Sequence, residues 1–154
     1  MPTGWLDERE LAAWKGFTLM HLQLNARLSR SLSESGISFQ DYAVLATLCD
    51  EPEGRTRLVE LGRELGWEKS RVSHHVTRMC ARGLVTKERC TTDQRGAWVV
   101  LTEHGRAESA RVAPRHVAEV RDLFIDRLSE PQLAAITAVS RRVLARLAEL
   151  DCDS

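Results

Sequence analysis

Between residues 7 and 33 the chain has no proline and carries Leu11, Trp14, Phe17, Met20, Leu22, Leu24, Leu28 and Leu32. At about 100° per residue, Trp14, Phe17, Met20, Leu24 and Leu28 share one side of a helix, whereas Leu11, Leu22 and Ala26 fall on another. A helix apolar on two sides needs two partners. Gly36 breaks it, and Ser38 opens a second helix as its N-cap, with Tyr42, Val44, Leu45 and Leu48 behind it. Asp50-Glu51-Pro52-Glu53-Gly54 then reads as a loop.

From Leu58 the periodicity becomes short and dense. Leu58, Leu61 and Leu65 stand at helical spacing, Gly66 interrupts, and Val72, Val76 and Met79 resume the stripe. Two short amphipathic helices joined by a glycine-containing turn predict a helix-turn-helix. Gly83 stops the second, and Leu84 to Cys90 alternates loosely as a strand. Thr91 to Gly96 is turn chemistry, and Ala97-Trp98-Val99-Val100-Leu101 returns as a second strand, so the pair reads as a hairpin wing. Thr102 caps a long helix expected to run past Phe124 to Leu128, bent or interrupted at Pro114. Ser129 and Gln132 form a capping box before a last helix striped by Leu133, Ile136, Val139, Val143, Leu147 and Leu150, and Asp151 to Ser154 reads as a frayed tail. The expected class is mainly α with a small β-hairpin wing: a winged helix-turn-helix at 37–102, flanked by an N-terminal helix at 1–36 and C-terminal helices at 103–154.

Length and composition narrow the picture further. The 154 residues suit one compact domain, and 43% hydrophobic against 29% charged residues allow a buried core. Lys plus Arg equals Asp plus Glu, 22 of each, so any charge-driven function depends on placement. Placement is uneven. Residues 55–96 hold ten basic and five acidic side chains, which makes that segment +5 and the remainder −5. Such a basic middle is the footprint of a nucleic-acid reader.

The second short helix explains why. With Val72 at 0°, Val76 and Met79 lie within about 40° of it, while Ser70, Arg71, His74, Thr77 and Arg78 lie between roughly 140° and 260°. That outer face has donors and no carboxylate. It suits the major groove, where arginine forks to guanine O6 and N7 and Ser, Thr or His reach other edges or phosphates. Lys69 and Ser70, at the first turn, sit where helix N–H groups favour phosphate.

The order helix-turn-helix, strand, loop, strand, with long helices at both ends, resembles the MarR family of winged-helix transcription regulators. The most specific residues are Gly83-Leu84-Val85, Asp93-Gln94-Arg95, Leu101-Thr102 and Gly105. The resemblance implies a homodimer built by the terminal helices, binding double-stranded DNA with Arg95 in the minor groove and Asp93 holding that arginine. Two departures stand out: Gln94 replaces the arginine common in the family, and Trp67-Glu68-Lys69-Ser70 opens the recognition helix with Glu68, a weaker cap. The family also implies a cleft for a small aromatic or anionic effector, for which Trp14, Phe17, His21 and Tyr42 are the candidates.

Other chemistry is disfavoured. His74 and His75 point about 100° apart and cannot easily share an ion with Cys80, so no metal or cofactor is expected. Cys49, Cys80, Cys90 and Cys152 form no C-x-x-C pair and read as reduced thiols, with Cys80 and Cys90 as inert small hydrophobes. No catalytic motif is present, so an enzyme is not expected. The start carries no basic-then-apolar leader and no long apolar run, which gives the expectation of a cytoplasmic protein. The competing reading is a winged-helix protein-interaction module with weak or no specific DNA binding.

Overall fold

In the computed structural model, which describes residues 4–92 and 96–152, six helices and three short strands follow in the order α1 (Glu8–Glu34), α2 (Phe39–Asp50), β1 (Arg55–Arg57), α3 (Leu58–Leu65), α4 (Lys69–Ala81), β2 (Val85–Arg89), β3 (Ala97–Leu101), α5 (Glu103–Leu123) and α6 (Glu130–Cys152). The chain packs as two compact units that divide within α5, one ending at His116 and the other beginning at Val117.

In the first unit, local chemistry sets the helix ends. Ser38 Oγ accepts the Asp41 N–H at 2.9 Å and the Asp41 carboxylate accepts the Ser38 N–H at 3.3 Å, a reciprocal box that starts α2. Gly66, with φ 64°, closes α3 in the left-handed conformation and turns the chain into α4. Val44, Leu45 and Leu48 of α2 meet Leu61 of α3, Val72, Val76 and Met79 of α4, and Val85 and Val99 of the sheet in one core. Leu32 brings the C-terminal end of α1 onto this core, and Leu28 is buried one turn before it.

The wing is a sheet of three strands, not the two expected. β1 pairs with β3, and β3 with β2, all antiparallel, so the order is β1-β3-β2 with Thr56 and Lys87 flanking Val99. Arg55-Thr56-Arg57 lacks apolar alternation, and its strand character comes from the ladder that β3 offers it.

Behind the wing, Thr102 locks the chain. Its hydroxyl lies 2.6 Å from the Gly83 carbonyl and 3.0 Å from that of Leu84, and it accepts the Gly105 N–H at 2.9 Å. The Gly105 backbone presses so closely on Leu84 that a Cβ at position 105 would overlap the Leu84 carbonyl. Gly83, with φ 73°, supplies the preceding turn.

At the C-terminal end the helix boundaries differ from those expected. α5 runs through Pro114 without interruption and stops at Leu123, short of Leu128. Phe124 leaves helical geometry, one 3-10 turn covers Ile125–Arg127, and Leu128 is extended. The next start follows at once: the Ser129 N–H donates to the Gln132 side chain at 2.8 Å where α6 opens. Asp151 and Cys152 are the helical end of α6, and Asp153 and Ser154, the rest of the expected frayed tail, lie outside the described residues.

Each unit exposes an apolar face. On α1, Trp14, Phe17 and Leu22 are 58%, 55% and 60% exposed; on α6, Val139, Val143, Leu144 and Leu147 are all at least half exposed. Burial within the unit therefore does not account for these stripes. Among the described residues no helix is long and apolar enough to cross a membrane.

Candidate nucleic-acid interface

α4 is an amphipathic cylinder whose two sides do different work. Val72, Val76 and Met79 are buried, while Lys69, Ser70, Arg71, His74, Thr77 and Arg78 are all exposed. By helical position Ser70, Arg71, His74, Thr77 and Arg78 share the outer side, and Lys69 is exposed at the first turn. Its N-cap is Glu68, which makes no side-chain capping bond, so the first-turn N–H groups are not occupied by a carboxylate from the cap. An open depression of about 620 Å³ lies against this turn, lined by Glu68, Lys69, Ser70, Ser73 and His74.

Several of these side chains are already held. The Thr77 hydroxyl donates to the Ser73 carbonyl at 2.9 Å and accepts from Lys87 Nζ at 3.1 Å, which leaves its methyl group and one lone pair as further contact capacity. The Arg71 guanidinium lies 4.7 Å over the Trp67 ring. Stacking uses the face of that group and leaves its N–H edge for hydrogen bonds. Arg78 Nη2 sits 3.2 Å from His75 Nδ1.

His74 and His75, adjacent in sequence, meet opposite surroundings. His74 is exposed, and His75 is buried against Asp41 of α2, with Nε2 3.0 Å from Asp41 Oδ1 without the alignment of a hydrogen bond. Arg82 Nη1 donates to the other Asp41 oxygen at 2.6 Å. For His75, burial pushes the imidazole below its ordinary value, and the Asp41 charge only partly offsets this. For Asp41, burial alone would raise the carboxyl, but the Arg82 hydrogen bond, the Ser38 N–H and nearby positive charge hold it below the usual range.

Lys87, Trp67, His75 and Asp41 were not legible as parts of this site. Lys87 reaches α4 only because β2 folds back beside it. His75 carried a weak signal: it stands about 60° from Val72, on the border of the buried stripe. Asp93 and Arg95, with Gln94 between them, lie outside the described residues. Of the effector candidates, Trp14, Phe17 and His21 run along the exposed face of α1 with ring centroids 6.0 and 6.1 Å apart. Tyr42 is half-buried and its ring lies 4.6 Å from that of His116.

Comparison with known proteins bears on this geometry. A family model described as MarR family matches residues 35–96. The crystal structure of AbsC, a MarR family transcriptional regulator from Streptomyces coelicolor, is similar at 35% identity and a TM-score of 0.88, over 96% of this chain and 99% of that one. Sco3205, a MarR family regulator from the same organism solved in complex with DNA, is 33% identical with a TM-score of 0.84, over 90% of this chain and 88% of its own. The HTH-type transcriptional regulator MhqR of Bacillus subtilis (strain 168) is 22% identical over 138 residues, 90% of this chain and 93% of MhqR.

Proposed function

The chain belongs to the MarR family of DNA-binding transcription regulators, and on that footing we propose that it is a repressor that binds a pseudo-palindromic operator as a homodimer, its affinity set by a small aromatic or anionic effector. The family is one of transcriptional regulators, not enzymes. The observation that carries the reading is the outer face of α4, with Ser70, Arg71, His74, Thr77 and Arg78 exposed and no carboxylate among them. In this reading Arg71 and Arg78 fork to guanine edges, His74 and Thr77 meet neighbouring bases, and Lys69 and Ser70 take phosphates at the helix start. Arg95 enters the minor groove with Asp93 behind it.

The exposed apolar faces of α1 and α6 support self-association of residues 1–36 and 103–154, leaving 37–102 to read DNA. Two-fold pairing presents two α4 helices to half-sites about 10 bp apart. The aromatic series Trp14, Phe17 and His21 supports an effector stacking there, with Tyr42 as a further candidate, in a protein acting in the cytoplasm. A ligand that prefers one spacing of the two α4 helices shifts DNA affinity by that preference.

Selection of bound sequences from a random duplex pool tests the reading directly. An enriched inverted repeat, with affinity falling steeply in a log-log plot against salt, is the expected result. A pool without enrichment and a flat salt response would favour the protein-interaction module instead.

A further inference from the structure

The two arginines on the reading face are joined through aromatic rings that do not themselves belong to that face. Arg71 lies 4.7 Å over Trp67, the rings of Trp67 and His75 meet edge to face at 5.2 Å and 73°, and His75 Nδ1 is 3.2 Å from Arg78 Nη2. Trp67 is half-buried in the turn before α4 and His75 is buried on its inner side, with Asp41 of α2 3.0 Å from Nε2.

We propose that Trp67 and His75 are positioning residues for sequence recognition, holding Arg71 and Arg78 in preset orientations before DNA arrives. This deepens the DNA-reading assignment above and rests on it.

The chemistry at His75 is self-consistent. Arg78 can only donate, so Nδ1 must present a lone pair and the ring proton must sit on Nε2. Asp41, facing Nε2, favours that tautomer. Burial disfavours the protonated ring, and a second proton would turn Nδ1 into a donor aimed at a guanidinium. At Trp67 the ring face attracts the Arg71 cation and restricts a long side chain that otherwise loses its rotamer freedom on binding. Presetting both arginines lowers that entropic cost and fixes which base edges they meet.

The test compares wild type, Trp67→Leu, Trp67→Phe and Arg71→Ala on one random duplex pool, with thermal melting of each. Trp67→Leu should flatten preference at the same base positions as Arg71→Ala and weaken the best site about two- to fivefold. Trp67→Phe, which restores a ring face, should recover that preference. In the Trp67→Leu, Arg71→Ala double variant the losses should not add. Proton NMR of the free wild-type protein should place the Arg71 Hδ signals upfield through the Trp67 ring current, a readout that needs neither DNA nor a folded variant. At His75, His75→Gln should flatten the positions lost in Arg78→Ala.

A wild-type consensus that persists unchanged in Trp67→Leu, additive losses, or unshifted Arg71 protons would overturn the positioning role while leaving DNA reading intact. A wild type that selects no consensus would remove both.

Discussion

Lys87 Nζ donates to Thr77 Oγ1 at 3.1 Å, so β2 of the wing is pinned to α4, the helix proposed to read DNA. Lys87 is exposed and sits opposite Val99 in the sheet register. The bond thus adds a cation to the rim of the α4 surface. Lys87→Met should weaken DNA binding evenly across sequences and make the salt slope shallower by about 0.9 if one phosphate contact is lost. Affinity titrations at several salt concentrations measure this, and a change confined to one base position would contradict it.

Arg78 and Arg95 should behave differently from each other. Arg78→Ala is expected to cost about 1–3 kcal/mol and to relax preference at one position, the pattern of a base contact. Arg95→Ala is expected to lower affinity broadly with a smaller salt slope. Binding profiles over single-base operator variants separate the two patterns, and an unchanged profile in Arg78→Ala removes it from the reading set.

Gly105→Ala should destabilise the fold by about 1–3 kcal/mol or more, because the added methyl meets the Leu84 carbonyl, a backbone group that cannot swing aside. Urea unfolding reports this as a lower midpoint. An unchanged midpoint would show that α5 can back away from Leu84 at no cost.

Stability should fall on acidification in two stages. His75 takes up a proton less readily folded than unfolded, so the unfolded chain binds more protons once the pH drops below about 6.5, and stability declines from there until the folded ring protonates. Asp41 is also depressed, so its contribution holds above about 3.9 and is lost as pH falls through its folded value. Both shifts have the same sign. Urea titrations from neutral to acid pH should show the decline, and His75→Gln should flatten its upper stage.

Paired substitutions Val143→Lys and Leu147→Lys place charge on the exposed stripe of α6. If α6 carries the proposed dimer, sedimentation should show dimers for the wild type and monomers for this variant, with helicity retained and operator affinity strongly reduced. A variant that still sediments as a dimer would move the interface away from α6.

Periodicity along the chain determined the helices, the cap at Ser38, the glycine stops and the separation of a donor face from a core stripe on α4. These depend on neighbours three or four residues away, and local spacing carries that information. Folding in three dimensions decided what spacing cannot hold. β1 exists because β3 lies beside it, and α5 ends at Leu123, with a 3-10 turn over Ile125–Arg127, where periodicity alone carried the helix on to Leu128. The inner side of α4 likewise acquired its polar anchor from Asp41, 34 positions before His75 in the chain and 3.0 Å away in space. Pairing between distant segments is paid for by the entropy of closing the chain between them and repaid by burial, and that balance is set by the whole fold.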